Sequence, residues 1–138
     1  MNTKNDSFSW SDAWVYTSLC MILKADNSLD LSMLIGCADM LNHSILLKDE
    51  INCAFTKFVQ YQLISVNENK ISLTALGNEI YNKSEKVKGG MFSRVDITLR
   101  KLNSKQSGIE ATPIQSIIEY FNEKQIMDGY NIYISKAK

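Results

Sequence analysis

Few residue types in this chain could carry out covalent or acid-base chemistry, and their spacing decides whether they do. His43 is the single histidine among 138 residues. A Cys-His or Ser-His site would have to form around it, because the base must reach the hydroxyl or thiol it activates. Its neighbours Asn42 and Ser44 make a polar turn instead, so His43 reads as a turn or capping residue. Cys20, Cys37 and Cys53 are odd in number, widely spaced and without a CxxC pair, and each lies within an apolar helical pattern. They read as reduced core residues, since a free cysteine packs as a small hydrophobe. Asp26 with Asp30, and Asp49 with Glu50, could be carboxylate pairs, but helix starts collect acidic residues because the helix dipole favours them there. Gly89-Gly90 lacks the flanking pattern of a phosphate-cradling loop. No catalytic site, metal or cofactor follows from these residues, and no enzymatic activity is expected.

The elements that hold these side chains must fit into one ordinary domain, because a chain of this length buries roughly two-thirds of its unfolded surface. Hydrophobic residues make up 45% and charged residues 22%, a globular composition rather than a disordered one. The start, from Met1 to Ser9, carries Lys4 and Asp6 and no apolar run suited to export. The apolar stretches are too short to span a bilayer, so a cytoplasmic protein without membrane contact is expected. Formal net charge is zero, but it is unevenly spread. Residues 1 to 82 hold five basic side chains against nine acidic ones, a net of −4. Residues 83 to 105 hold seven basic ones (Lys83, Lys86, Lys88, Arg94, Arg100, Lys101 and Lys105) against Glu85 and Asp96, a net of +5. A phosphate-seeking surface would draw on this middle stretch.

Periodicity then gives the order of elements. Trp10, Ala13, Trp14, Thr17, Cys20, Met21 and Lys24 step by three or four, which predicts a core helix capped by Ser9 or Ser11 and ending near Ala25. A second helix to Asn42 has its inner face set by Leu31, Leu34, Ile35, Ala38 and Leu41, and Gly36 within it implies close approach by another helix. The third, Leu47 to Gln62, places Ile51, Ala54, Phe55, Phe58 and Val59 on one face. Two β-prone runs, Leu63 to Val66 and Lys70 to Leu73, flank Asn67-Glu68-Asn69 as a hairpin. Thr74 caps a fourth helix. Gly89-Gly90 marks a boundary or hinge, followed by a helix from Met91 to Asn103. Thr112-Pro113 has the form of a helix start, with Ile114, Ile117, Ile118 and Phe121 as its apolar stripe and Gly129 as its end. Tyr130 to Ile134 is predicted as a last short strand.

The run Asn42 to Asn52, then Phe58-Val59-Gln60-Tyr61-Gln62-Leu63-Ile64, then Ile71 to Gly77, resembles the winged helix-turn-helix superfamily. There a helix closing on such a leucine-isoleucine run leads into a wing. A leucine-threonine-x-x-glycine phrase opens the next helix, as Leu73, Thr74 and Gly77 do here. The likeness covers roughly Asp12 to Lys83. It implies a mostly α fold with a small β-hairpin wing: a winged helix-turn-helix domain at residues 1-83 and a C-terminal helical extension at residues 84-138 that packs on it or mediates dimerisation. Thr74 and Gly77 also make sense without the family, since the threonine caps its helix and the glycine lets that helix lie close to the hairpin or another helix.

The resemblance makes the helix from Leu47 to Gln62 a recognition helix, with its first turn and outer face in a major groove. Lys48 and Lys57 would meet phosphates, Asn52 or Gln60 an adenine edge, Thr56 would lie between them, and Lys70 in the wing would add a backbone contact. The implied function is a DNA-binding transcription regulator, a homodimer joined through helices after Met91, with duplex DNA as partner. Nothing in the sequence defines an effector pocket. The alternative is a protein-protein interaction module of winged-helix shape without nucleic-acid binding. It is favoured by Asp49 and Glu50, which sit where the helix would meet the polyanion, and by the net −4 of the first 82 residues. One continuous positive face uniting Lys48, Lys57 and Lys70 with the 83 to 105 cluster supports DNA, and scattered lysines support the module.

Overall fold

The computed structural model describes residues 7–26, 28–67, 70–89, 91–106, 108–112, 114 and 116–137. Ser9 and Asp12 start the first helix reciprocally. The Ser9 amide donates to the Asp12 carboxylate at 2.9 Å and the Asp12 amide donates to Ser9 Oγ at 3.1 Å, so two amides that a helix start leaves open are satisfied. The helix that follows, α1 (Trp10–Asp26), buries Ala13, Trp14, Val15, Tyr16, Leu19, Cys20, Ile22 and Leu23. Apolar residues lie around most of its circumference because the other helices surround it.

Asp30 caps α2 (Leu31–Asn42), its carboxylate accepting from the Ser32 amide at 2.8 Å and the Ser32 hydroxyl at 2.6 Å. These bonds hold the Asp30 carboxyl below its ordinary pKa, the hydroxyl bond being the largest cause. His43 closes α2 in the left-handed region (φ 55°), which is the turn role its neighbours predict. The next helix, α3 (Lys48–Gln60), ends with Gln62 at φ 62°. The Gln62 and Leu63 amides there return to Val59 O at 3.1 Å and Phe58 O at 2.8 Å, the two bonds that close a Schellman-type helix end. Strands β1 (Ile64–Asn67) and β2 (Lys70–Leu73) then pair antiparallel, Ile64 opposite Leu73 and Val66 opposite Ile71. Glu68 and Asn69 of the expected turn lie outside the described residues. Thr74 Oγ1 accepts from the Gly77 amide at 3.0 Å and starts α4 (Ala75–Lys86). At Gly77 a Cβ would fall 2.1 Å from Leu63 O, so α4 can sit against the hairpin only with glycine there.

Two further helices complete the chain. First, α5 (Met91–Gln106) packs on α1 and α4. Trp10 Nε1 donates to Asp96 at 2.8 Å, and Asn103 bonds the Phe8 backbone in both directions. Second, α6 (Glu123–Ala137) packs on α2, which is the close neighbour that Gly36 implies. A Cβ at Gly36 would lie 2.9 Å from the Tyr133 ring, and one at Gly129 would lie 3.1 Å from Leu31 Cβ. Val95, Leu102 and Ile126 join residues of α1 to α4 in one apolar cluster. The chain is thus mostly helical with a two-stranded antiparallel sheet. Among the described residues no helix is long and apolar enough to cross a membrane.

Three expectations about the C-terminal part need correction. No helix begins at Thr112: the described residues from Ser116 to Asn122 are irregular, and Pro113 lies outside the described set. Gly129 does not end a helix but sits inside α6 at its crossing with α2. Tyr130 to Ile134 is not a strand but part of α6. The physical reason is tertiary. The tyrosines and isoleucines of Tyr130 to Ile134 have β propensity, but Ile126, Gly129 and Tyr133 recur at three and four, and α2 covers that face. A missed local signal starts this helix. Asn122 Oδ1 accepts from the Gln125 amide and Gln125 Oε1 accepts from the Asn122 amide, both at 2.8 Å, a reciprocal cap written in the sequence as Asn-x-x-Gln.

Candidate functional site

The outer face of α3 is where the sequence places its chemistry. Its inner face buries Ile51, Ala54, Phe55 and Phe58, as the period requires. Yet Asn52 and Thr56 are also buried, because a strap that includes residues 109–112, 114 and 116–121 runs across them. Asn52 Oδ1 accepts from the Tyr120 amide at 2.8 Å and the Phe121 amide at 3.0 Å, while Asn52 Nδ2 donates to Phe121 O at 2.9 Å. Thr56 Oγ1 accepts from the Ile118 amide at 2.9 Å and donates to Asn52 O at 2.8 Å. Further along, the Thr112 amide donates to Gln60 O at 2.8 Å and Gln62 Nε2 donates to Glu110 O at 3.1 Å. Tyr120 and Phe121 pack their rings against Phe55, tilted and edge-on respectively, the centroids 6.0 and 5.4 Å away. An irregular backbone can lie on this surface because α3 side chains replace the hydrogen bonds a helix or sheet would have supplied.

The six residues singled out for DNA do not form one free polar face. Lys48 pairs with Glu119 of the strap at 3.2 Å. Lys57 donates to Asp12 at 2.6 Å and to Ser7 O at 2.8 Å, and it stands 5.8 Å from the Phe8 ring centroid. Asn52 and Thr56 hold the strap, and half-buried Gln60 lines a groove beside it with Ile114 and Ile117. Lys70 is exposed on the hairpin. Glu50 accepts from the Leu47 amide at 2.8 Å, so this acidic residue serves the helix start.

The basic stretch lies mainly on α4, α5 and their connection, elements that pack on one another and on α1. Lys83 and Lys105 share Glu79, at 3.0 and 3.4 Å. Arg94 turns inward and donates to Ser84 O at 2.9 Å and to Val87 O, satisfying carbonyls that the end of α4 leaves open. Among the described residues no hydrogen bond or ion pair engages the side chains of Lys86, Lys88, Arg100 or Lys101. Arg100, Lys101 and Ser104 line a groove of about 370 Å³ together with Val87 and Ile97. At the start of α3 and along α6, Ile45, Leu47 and Met127 edge another groove, floored by Leu46 and Ile126.

The remaining chemistry-bearing residues are enclosed. Cys20 is fully buried and Cys37 and Cys53 are half-buried, all as free thiols. Burial pushes all three thiols above their usual range, which keeps them protonated and weakly nucleophilic. The Tyr16 hydroxyl, raised mainly by burial, donates to Gly77 O and serves the core. Among the described residues no group of three His, Cys, Asp or Glu could hold a metal ion.

No family model, curated protein or solved structure matches this chain. The functional reading therefore rests on the geometry above.

Proposed function

We propose that this chain is a protein-protein interaction module of winged-helix type that does not read DNA through α3. The observation that carries the reading is the seat of the strap on Asn52. A reading helix must present its outer side chains to base edges, and here the amide of Asn52 is saturated by the Tyr120 and Phe121 backbone. Lys48 and Lys57, the two cations of α3 that would meet phosphates, are paired with Glu119 and Asp12. To uncover this face the chain would have to lift the Tyr120 and Phe121 rings off Phe55.

A labelled duplex titrated with the chain at roughly 50 and 200 mM salt tests the reading, because six to ten phosphate contacts lose about 10³ to 10⁵ in affinity over that range. The expected result is no salt-sensitive complex that depends on Lys48 or Gln60. A complex abolished by Lys48→Ala or Gln60→Ala would reinstate the DNA-binding regulator. The proposal keeps a homodimer as one mode of interaction, with Met127 and Ile132 exposed on α6 as its contact. Light scattering that gives the monomer mass at every concentration removes that part.

A further inference from the structure

The groove between the α4–α5 connection and α5 gathers, beside an aliphatic wall, cations that no described carboxylate pairs. Lys48, Lys57, Lys83 and Lys105 are all paired with carboxylates. Among the described residues the groove's lining contains Arg100 and Lys101 with Ser104, Val87 and Ile97, and no carboxylate. Lys86 and Lys88 are exposed on either side of Val87. Of the two acidic residues in this stretch, Asp96 accepts the Trp10 indole N–H at 2.8 Å, and Glu85 is exposed on α4 and is not part of the groove's lining among the described residues. The wall is fixed. Arg94 ties the backbone at Ser84 and Val87 to α5, and Gly89 fits closely, since a Cβ there would lie 2.9 Å from Ser93 Cβ.

Resting on the interaction-module reading, we infer that this groove docks an acidic segment of a partner protein, one aliphatic side chain entering between Val87 and Ile97 while flanking carboxylates meet Arg100, Lys101, Lys86 and Lys88. Charge complementarity selects an anionic partner and steers its approach. The guanidinium of Arg100 offers a fork that matches a carboxylate. The lining selects peptide over single-stranded nucleic acid, because its described residues include no aromatic ring on which a base could stack. It also selects peptide over duplex, because groove reading needs an element that protrudes, and this surface is concave.

The test is fluorescence anisotropy with the full chain and three labelled probes: a glutamate peptide with one central leucine, an all-glutamate peptide, and a generic duplex. Each is titrated at roughly 50 and 200 mM salt. Saturable binding of the leucine-bearing peptide, weakened by salt, is expected. It should fall at least about tenfold in Arg100→Glu/Lys101→Glu, as loss of steering and pairing predicts, and persist in Lys70→Glu on the hairpin. Circular dichroism checks each variant, and Arg100→Ala/Lys101→Ala replaces a charge reversal that loses helical signal. No peptide binding at the lower salt, binding indifferent to these substitutions, or equal binding of the all-glutamate peptide overturns the inference. So does tighter binding of the duplex through the same residues. Duplex binding lost instead on Lys48→Ala or Gln60→Ala overturns the interaction-module reading, which separates the two failures.

Discussion

Asn52 shows how one side chain can serve two incompatible ends. Its carboxamide presents an acceptor and a donor side by side, the pair that would match an adenine edge, and the same pair matches a peptide unit. In this chain the strap backbone takes both. Replacing it leaves three strap groups without partners, and a buried unsatisfied donor or acceptor costs about 1–3 kcal/mol. Asn52→Ala should therefore lower unfolding free energy in urea by about 2 kcal/mol, and a loss below about 0.5 kcal/mol would mean that the strap contributes little to the fold. Asp30 gives a residue-level prediction with a pH dependence. Its carboxyl is held low in the folded state, chiefly by the Ser32 hydroxyl, so its contribution is present above the unfolded carboxyl pKa of about 3.9 and disappears as pH falls through the lower folded value. Asp30→Ala should destabilise by about 1 kcal/mol near neutral pH, the usual effect of losing an N-cap. The gap from the parent chain should close as acid unfolding proceeds below about pH 4. A gap that widens in acid would contradict the sign.

At the scale of elements, close approach is set by glycines and by caps. The α4–hairpin junction depends on Gly77, where a Cβ would meet a backbone oxygen rather than a flexible side chain. Gly77→Ala should therefore force a shift of backbone and cost about 1–3 kcal/mol, the range for overpacking a closed site. Gly108→Ala is the control, since its Cβ would meet only Lys105 O at an ordinary 3.7 Å. Equal melting temperatures for the two variants would refute the close-contact account. The α2–α6 crossing follows the same rule, with Gly36 and Gly129 facing Tyr133 and Leu31 and the Tyr133 hydroxyl donating to Asp39 at 2.6 Å.

For the whole molecule, the first 83 residues share their core with the rest. Val95, Leu102 and Ile126 belong to the same apolar cluster as Trp14, Leu19 and Phe55, α6 covers α2, and the strap covers α3. A fragment of residues 1–83 should fail to fold cooperatively, because it would expose those faces to water at roughly 25 cal/mol per Å² of apolar surface. The full chain should unfold in one transition seen alike by fluorescence and circular dichroism. A dispersed amide spectrum from the fragment would show instead that residues 1–83 stand alone. Charge is partitioned at this scale too. The acidic first part uses its α3 lysines internally, and Lys86, Lys88, Arg100 and Lys101 gather on α4, α5 and their connection, away from the helix that the resemblance assigned to DNA.

The sequence by itself determined the local features. The 3.6-residue stripes placed the first five helices, alternation placed the hairpin, and Thr74, Gly77, Gly36 and His43 declared their cap, contacts and turn, because such signals act over a few residues. Asn122 to Gln125 carried an equally local cap, which a competing Thr112-Pro113 start obscured. Only the tertiary structure decided what covers α3. A polar outer face looks the same whether it will meet water, a duplex or a strap from 60 residues further on. The choice depends on which distant backbone groups arrive to be satisfied. It was likewise packing against α2 that made Tyr130 to Ile134 a helix, since burial of one apolar face outweighs the modest β preference of its tyrosines and isoleucines.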